Sequence, residues 1–160
     1  MYEKTAKWVA EAKFYDLATG IYNARHFGFI LDTEIHRSQK YGYSFSIIFC
    51  KLRPSLHLQD DHDSIWKKSR LLRKVADQVK SVGRLIDFAF YLGDCEFVML
   101  LPQKTKDSAA RASELLLRTL QESEWEYEQG SQMELGAVVS VASFPEDGRT
   151  KQELLDHLSQ

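Results

Sequence analysis

The four consecutive apolar residues Ile47-Ile48-Phe49-Cys50 restrict the fold of this chain more than any other feature of its sequence. They lie in a β-rich run from Phe45 to Leu52, and an unbroken apolar run of this length predicts a strand that is buried on both faces. Such a strand lies inside a sheet that other elements cover. The helices that cover it have to come from the segments on either side.

Apolar residues spaced three and four apart predict helices in the rest of the chain. The predicted helices are residues 4–15, a helix capped by Asn23 that ends near Gly42, residues 65–82, residues 107–122 with Leu115, Leu116 and Leu120 facing inward, and a short helix from a Thr150 cap to Leu158. The predicted strands are residues 45–52, 86–92, 96–101 and 133–144, with Gly93-Asp94-Cys95 as a hairpin turn. This order predicts an α+β fold in which helices flank a mainly antiparallel central sheet.

Charge and composition exclude several classes of protein. The 160 residues include 21 Lys and Arg against 23 Asp and Glu, and the net charge of -2 argues against a polybasic arm that binds a nucleic acid polymer. The longest apolar runs, such as Phe97 to Leu101, are far shorter than the roughly 20 residues that span a bilayer, so no membrane segment is predicted. Two cysteines, Cys50 and Cys95, do not make a disulfide framework, which favours a reducing, cytoplasmic location.

Three motifs in order resemble the GGDEF domains of bacterial diguanylate cyclases. They are Asp16-Leu17-Ala18-Thr19-Gly20-Ile21-Tyr22-Asn23-Ala24-Arg25-His26-Phe27, then Gly93-Asp94-Cys95-Glu96-Phe97, then Val141-Ala142-Ser143-Phe144-Pro145-Glu146-Asp147-Gly148. The resemblance implies a cyclase palm-like domain over residues 15–160. In this family a preceding helix, here residues 1–14, leads to an upstream sensor or receiver domain and often pairs as a coiled coil. The family's closing helix is not found, so it is expected to be truncated or lost.

The resemblance also implies an active site whose chemistry is altered here. Its metal ligands correspond to Lys51 and Cys95, and an ammonium repels the magnesium that a carboxylate would hold. The guanine-binding positions correspond to Gln59 and Lys68, and lysine cannot accept the guanine N–H groups. Asp94 replaces a glycine where the backbone approaches phosphate, and Glu96 is read as a structural remnant. The expectation is a catalytically inactive domain with no magnesium cofactor.

One functional pattern of the family is retained. Arg84-Leu85-Ile86-Asp87 matches the Arg-x-x-Asp through which active cyclases are inhibited by their product, cyclic di-GMP. An arginine fork binds phosphate or a guanine edge, and a carboxylate can accept the guanine N–H pair. The family often adds an arginine from the next helix at a position that here is Leu115, so Arg111 or Arg118, one turn to either side, could replace it.

The preferred hypothesis is therefore a cyclic di-GMP receptor, and two alternatives stay open. One is a ligand-free dimerisation or protein-interaction module in which the helix of residues 1–14 controls association. The other, less favoured, is an active cyclase. The acidic run at residues 60–63 is read as a solvated loop rather than a metal site. Basic residues between positions 67 and 84 could attract an anionic nucleotide or could simply solvate a helix; they are Lys67, Lys68, Arg70, Arg73, Lys74, Lys80 and Arg84.

Overall fold

The computed structural model of the protein describes residues 13–54, 62–128 and 131–160. Residues 13 and 14 are helical and belong to the helix predicted over residues 4–15, whereas residues 1–12 lie outside the described residues. Gln59 and the acidic residues at positions 60 and 61 also lie outside them. The predicted boundary between a leading helix at residues 1–14 and the domain at residues 15–160 stays a prediction.

Four helices and seven strands follow one another along the described residues. The helices are α1 Ala24–Tyr41, α2 His62–Val82, α3 Lys106–Glu122 and α4 Lys151–Leu158. The strands are β1 Tyr22–Asn23, β2 Phe45–Pro54, β3 Phe88–Gly93, β4 Glu96–Pro102, β5 Trp125–Glu128, β6 Ser131–Met133 and β7 Leu135–Phe144. None of the described helices has both the length and the apolar character needed to cross a bilayer.

The central sheet has five strands in the order β1-β3-β4-β2-β7, and β5 and β6 form a separate pair. Only the short β1 pairs in parallel, with β3, and the other neighbours in the central sheet are antiparallel. The strand β2 lies between β4 and β7, so that Ile48 is opposite Met99 on one side and Val141 on the other. This arrangement confirms the predicted α+β fold with a mainly antiparallel sheet.

Helices cover both faces of the central strand, as the apolar run predicts. Ile48 and Cys50 are 0% and 1% exposed and pack in a core with side chains of α2 and α3. Phe45 and Ile47, both 0% exposed, point to the opposite face and pack with side chains of α1 and α4. Alternate residues of β2 therefore serve two cores, since successive side chains of a strand point to opposite faces.

The predicted helix caps are confirmed. The Asn23 side chain accepts a hydrogen bond from the His26 amide, and α1 ends at Gly42, whose φ of 73° lies in the left-handed region that favours glycine. The Thr150 side chain accepts from the Glu153 amide while the Glu153 carboxylate accepts from the Thr150 amide, which is a complete capping box on α4.

Four predictions differ from the structure. The sequence predicts a loop for the acidic run at residues 60–63, but its last two residues are helical, because α2 begins at His62. The strand predicted from residue 86 begins at Phe88, because residues 84–87 close a turn in which the Asp87 amide donates to the Arg84 carbonyl at 3.0 Å. The strand predicted over residues 133–144 is divided between β6 and β7, and β6 pairs with β5, which the sequence did not predict. Leu115 was expected to face inward, but it is 47% exposed, because Leu116 and Leu120 already occupy the inner face of α3.

Candidate functional site

The hairpin between β3 and β4 is a tight turn held in left-handed backbone. Gly93, Asp94 and Cys95 have φ values of 92°, 49° and 60°. Positive φ at both central residues is the geometry of the two-residue hairpin turns that match the twist of a sheet. The Cys95 carbonyl accepts from the Leu52 amide at 2.9 Å, and the Cys95 amide donates to the Tyr91 hydroxyl at 3.3 Å. The turn is therefore fixed against the end of β2, where the resemblance places the metal.

The Lys51 ammonium forms an ion pair with Glu96 at this end of β2. The two residues are directly opposite each other in the sheet, and Lys51 Nζ lies 2.8 Å from Glu96 Oε1. The hydrogen bond to Glu96 raises the pKa of the Lys51 amine above its usual value, and nearby negative charges such as Asp94 add to the effect. Lys51 is thus held as a cation where the resemblance implies a carboxylate.

The side chains at this position do not fit magnesium. Magnesium prefers several oxygen ligands, whereas Lys51 carries a positive charge and the Glu96 carboxylate is already bound to it. Across the part of the chain that the structure describes, no group of three His, Cys, Asp or Glu side chains is arranged to hold a metal ion. The chemistry of Lys51 and Glu96 therefore does not suit a magnesium ion at this hairpin.

The predicted guanine-binding positions are not seen together. Lys68 lies on α2, where its side chain is partly buried. Gln59 falls outside the described residues, so its position relative to Lys68 stays a prediction. Asp94 is at the turn itself, with its φ of 49°. Of the five altered positions and the remnant Glu96, the structure brings Lys51 and Glu96 into contact and places Asp94 and Cys95 in the adjoining turn.

The retained Arg84 and Asp87 form a closed pair at the other end of the sheet. Arg84 Nη2 donates to Asp87 Oδ1 at 2.8 Å and to the Pro102 carbonyl at 2.8 Å, and Arg84 Nε lies 3.2 Å from both carboxylate oxygens. The Arg84 amide also donates to Asp87 Oδ2 at 2.7 Å. Glu96 and Pro102 are the two ends of β4, so this pair is about 20 Å from the hairpin at 3.3–3.4 Å per residue.

The geometry of this pair gives its two members different roles. The Asp87 side chain is 2% exposed, whereas the Arg84 side chain is 42% exposed. A guanine could reach the Asp87 carboxylate only after the pair opens. Of the five guanidinium N–H donors, those on Nε and Nη2 are used within the chain, and no described residue accepts from Nη1. Asp87 therefore orients Arg84, and Arg84 keeps two donors for another molecule.

A cavity of about 470 Å³ lies beside this pair, between the turn of residues 83–88 and the turn that contains the first motif. Arg84, Asp87 and Lys80 line one side, and Tyr15 and Tyr22 line the other. The volume falls within the range of small-molecule sites in proteins. The retained arginine is thus part of a concave surface with cationic and aromatic walls.

Arg111 and Arg118 do not line this cavity. Both are exposed on α3, and neither makes an ion pair with any residue that the structure describes. Lys80 lines the cavity instead and makes no ion pair within the described residues. Lys80 lies in the last turn of α2, and Arg84 lies in the turn that follows Val82, the last residue of this helix. Lys80 is the nearest basic residue before Arg84 in the sequence, and this is the signal by which it could have been assigned to the site.

The first motif builds the other wall of the cavity. Asp16 Oδ2 accepts from the amide and the hydroxyl of Thr19 at 2.8 and 2.7 Å, and the Gly20 amide donates to the Asp16 carbonyl at 2.8 Å. This turn brings Tyr15 back beside Tyr22, and their rings stack with centroids 4.9 Å apart. Asp16 and Thr19 thus have structural roles, and the two tyrosines were not predicted from the sequence as site residues.

Comparisons with known proteins agree with this architecture. A crystal structure of the FimX GGDEF domain from Pseudomonas aeruginosa aligns with a TM-score of 0.81 and 22% identity, over 91% of this chain and 88% of that chain. The coiled coil and GGDEF domain of DgcB from Caulobacter crescentus, in complex with c-di-GMP, aligns with a TM-score of 0.77 and 14% identity, over 99% of this chain and 83% of that chain. At these identities the two structures support the fold alone.

The sequence comparisons extend the match from fold to family. An uncharacterized signaling protein of Caulobacter vibrioides is 27% identical over 159 residues, which are 96% of this chain and 18% of the relative. The chain therefore spans less than a fifth of the length of that relative. The family described as diguanylate cyclase, GGDEF domain, matches residues 13–160, which include all three motifs and the Arg84–Asp87 pair. The chain belongs to the GGDEF domain family.

Proposed function

We propose that this chain is a catalytically inactive GGDEF domain that acts as a cyclic di-GMP receptor within a larger signalling protein. The observation that carries the proposal is the state of Arg84, which is oriented by Asp87 at a cavity and keeps both Nη1 donors for a ligand. Phosphate oxygens and the O6 and N7 atoms of guanine accept such donors. Cyclic di-GMP offers both kinds of acceptor, and it is the ligand in the DgcB complex.

The proposal of inactivity rests on the opposite end of the sheet. Joining two GTP molecules into cyclic di-GMP requires a cation to neutralise the triphosphate as the 3'-hydroxyl attacks. Lys51 and Glu96 neutralise each other at the position where carboxylates would hold that cation. Asp94 adds a carboxylate to the turn where phosphate would approach the backbone, and like charges repel.

Replacing Arg84 with alanine is expected to abolish cyclic di-GMP binding or to raise its Kd at least tenfold. The reason is the loss of two charge-assisted hydrogen bonds, each worth about 1.5–3 kcal/mol. Calorimetric titration of the 160-residue chain measures the effect. Arg111→Ala and Arg118→Ala are the matched controls, because both remove an exposed arginine that does not line the cavity.

The control variants also distinguish a ligand site at the cavity beside Arg84 from a ligand site that includes an arginine of α3. Unchanged affinity in Arg111→Ala and Arg118→Ala, with loss in Arg84→Ala, supports a site on the cavity side of Arg84. Loss in either control would restore the site on α3 that the sequence suggested. Equal weak heats from the wild type and Arg84→Ala would reject the receptor and favour the ligand-free interaction module.

Incubation with GTP and either magnesium or manganese is expected to yield no cyclic di-GMP. An active member of the family, assayed by chromatography under the same conditions, is the positive control. Any metal-dependent formation of cyclic di-GMP by this chain would overturn our interpretation of Lys51, Cys95 and Glu96. The result of this assay is independent of the calorimetric titration with cyclic di-GMP, because the proposed binding site and the altered active site lie at opposite ends of the sheet.

The wider setting is also part of the proposal. The chain covers only 18% of its relative from Caulobacter vibrioides, which supports a domain that works beside others, such as an upstream sensor or receiver domain. A homodimer is a further part of the proposal. Cys50 and Cys95 are both free thiols, and a cytoplasmic location keeps them reduced.

A further inference from the structure

The cavity beside Arg84 joins two parts of the chain that are far apart in sequence. One wall comes from the end of α2 and the turn after it, with Lys80 and Arg84, and the other comes from Tyr15 and Tyr22. These tyrosines flank the turn of the first motif, which follows directly on the helical residues 13 and 14. A molecule in the cavity would therefore contact the start of the domain and the retained arginine at once.

Among the described residues, the end of α2 and the turn after it present one cation without an ion partner, Lys80, and one arginine, Arg84, that is paired with Asp87 but keeps open donors. Lys80 is exposed and makes no ion pair there, and the Arg84 Nη1 donors are free of described acceptors. The Lys80 ammonium and the Arg84 Nη1 donors line the same cavity and are suited to a phosphate group, which accepts from both. Asp87 offsets the charge of Arg84, so the net positive charge of this wall comes from Lys80, and Arg84 contributes its open hydrogen-bond donors.

The opposite wall presents an aromatic surface that can accept a base. Tyr22 covers one face of the Tyr15 ring at a centroid distance of 4.9 Å and an angle of 22°. Tyr15 nevertheless remains 40% exposed, so the stack can be extended by a further ring. Bases of single-stranded nucleic acids stack on tyrosines in this way, and a purine offers a large flat surface for it.

We infer that Tyr15 and Lys80 belong to the ligand site, with a guanine base stacked on Tyr15 and a phosphate bound between Lys80 and Arg84. This inference rests on the proposed function and extends it from binding to regulation. The ligand bridges the turn of the first motif to the turn of residues 83–88. Binding therefore fixes the point at which the preceding helix joins the domain, and this is the structural change that an attached domain can sense.

The present contacts of that junction show what the ligand would strengthen. Lys13 is held by a hydrogen bond from the Asn23 side chain to its carbonyl at 3.2 Å, and Phe14 meets His26 edge-on at 5.1 Å. Tyr15 forms a single β-bridge with Tyr22. Phe14 is 40% exposed, so the junction lies at the surface. A ligand stacked on Tyr15 adds a contact at the residue where the helix enters the domain.

Titration of cyclic di-GMP into Tyr15 and Lys80 variants tests this inference. Tyr15→Ala is expected to raise the Kd roughly 5- to 150-fold, which corresponds to the loss of stacking with one base, and Tyr15→Phe is expected to restore wild-type affinity. Lys80→Ala is expected to raise the Kd and to weaken its dependence on salt concentration. Tyr41→Ala and Lys74→Ala are the matched controls, because neither residue lines the cavity.

Hydrogen exchange provides a readout that a purely structural role of Tyr15 would not give. Saturating cyclic di-GMP is expected to slow exchange of the amides of residues 15–23 in the wild type and in Tyr15→Phe, but not in Tyr15→Ala. If Tyr15→Ala binds as Tyr41→Ala does while Arg84→Ala fails to bind, the inference is wrong and the receptor proposal stands. If the wild type does not bind at all, both are wrong. A circular dichroism spectrum that matches the wild type establishes that each variant is folded.

Discussion

Replacing Phe90 with alanine is expected to lower the free energy of unfolding by about 3–5 kcal/mol, the usual cost of removing a buried phenylalanine. Phe90 is 0% exposed in β3, and its ring lies 5.1 Å from the ring of Phe27 and 5.8 Å from that of Tyr22. The substitution leaves a cavity between the sheet and α1. A domain of ordinary stability has about 5–15 kcal/mol in total, so a large part would be lost.

Urea denaturation of the wild type and of Phe90→Ala measures this loss. Phe29→Ala is the control, because Phe29 is on the same helix as Phe27 but is 65% exposed, and its loss is expected to change stability by no more than about 0.5 kcal/mol. A loss below about 1 kcal/mol in Phe90→Ala would contradict the packing described for this core. The substitution also affects the ligand site, because the Phe90 ring packs against Tyr22, which lines the cavity.

Replacing Asp147 with alanine is expected to lower the free energy of unfolding by about 2–4 kcal/mol, because the partly buried hydrogen bonds of its carboxylate are lost. The Asp147 side chain is 6% exposed, and it accepts from Lys106 Nζ at 2.6 Å and from the Ser143 amide at 2.9 Å. These bonds tie the start of α3 to the end of β7. Asp156→Ala is the control, since Asp156 is exposed on α4.

The same carboxylate makes stability depend on pH in a defined direction. Burial alone would raise the pKa of Asp147, but the hydrogen bonds from Lys106 and Ser143, together with the nearby His157, hold it below its ordinary value of 3.8. A carboxylate whose pKa is lower in the folded state stabilises the fold above its unfolded pKa. That contribution is lost as the pH falls below 3.8 through the folded pKa. Asp147→Ala should therefore show a shallower loss of stability below about pH 4 than the wild type.

Features set by local sequence were predictable, and features set by distant contacts were not. The apolar run of β2, the Asn23 and Thr150 caps and the hairpin at Gly93 follow from neighbouring residues, and the structure confirms each. The pairing of β5 with β6 depends on Trp125, which is 3% exposed and donates from its indole to the Leu120 carbonyl at 2.8 Å. Nothing in the short run around Trp125 shows that this contact exists.

In the candidate site, too, the local motif was predictable from the sequence and the contacts between distant residues were not. The sequence shows Arg84 and Asp87 as a motif, but it does not show that the Asp87 side chain is buried and bonded to Arg84, and so orients the arginine. Tyr15 and Lys80 are 65 positions apart, and only the packing of β1 beside β3 brings them to one cavity. The resemblance predicts the second arginine of the site on α3, whereas the cavity has its second cation on α2.

The ion pair between Lys51 and Glu96 has a consequence for the conditions under which this domain works. A dissolved cation occupies a site in proportion to its concentration, and a chelator removes it. The Lys51 ammonium is covalently tethered to β2 and lies 2.8 Å from its carboxylate, so its presence there is independent of the surrounding solution. The positive charge of Lys51 at the hairpin is therefore present in magnesium-rich and magnesium-depleted surroundings alike.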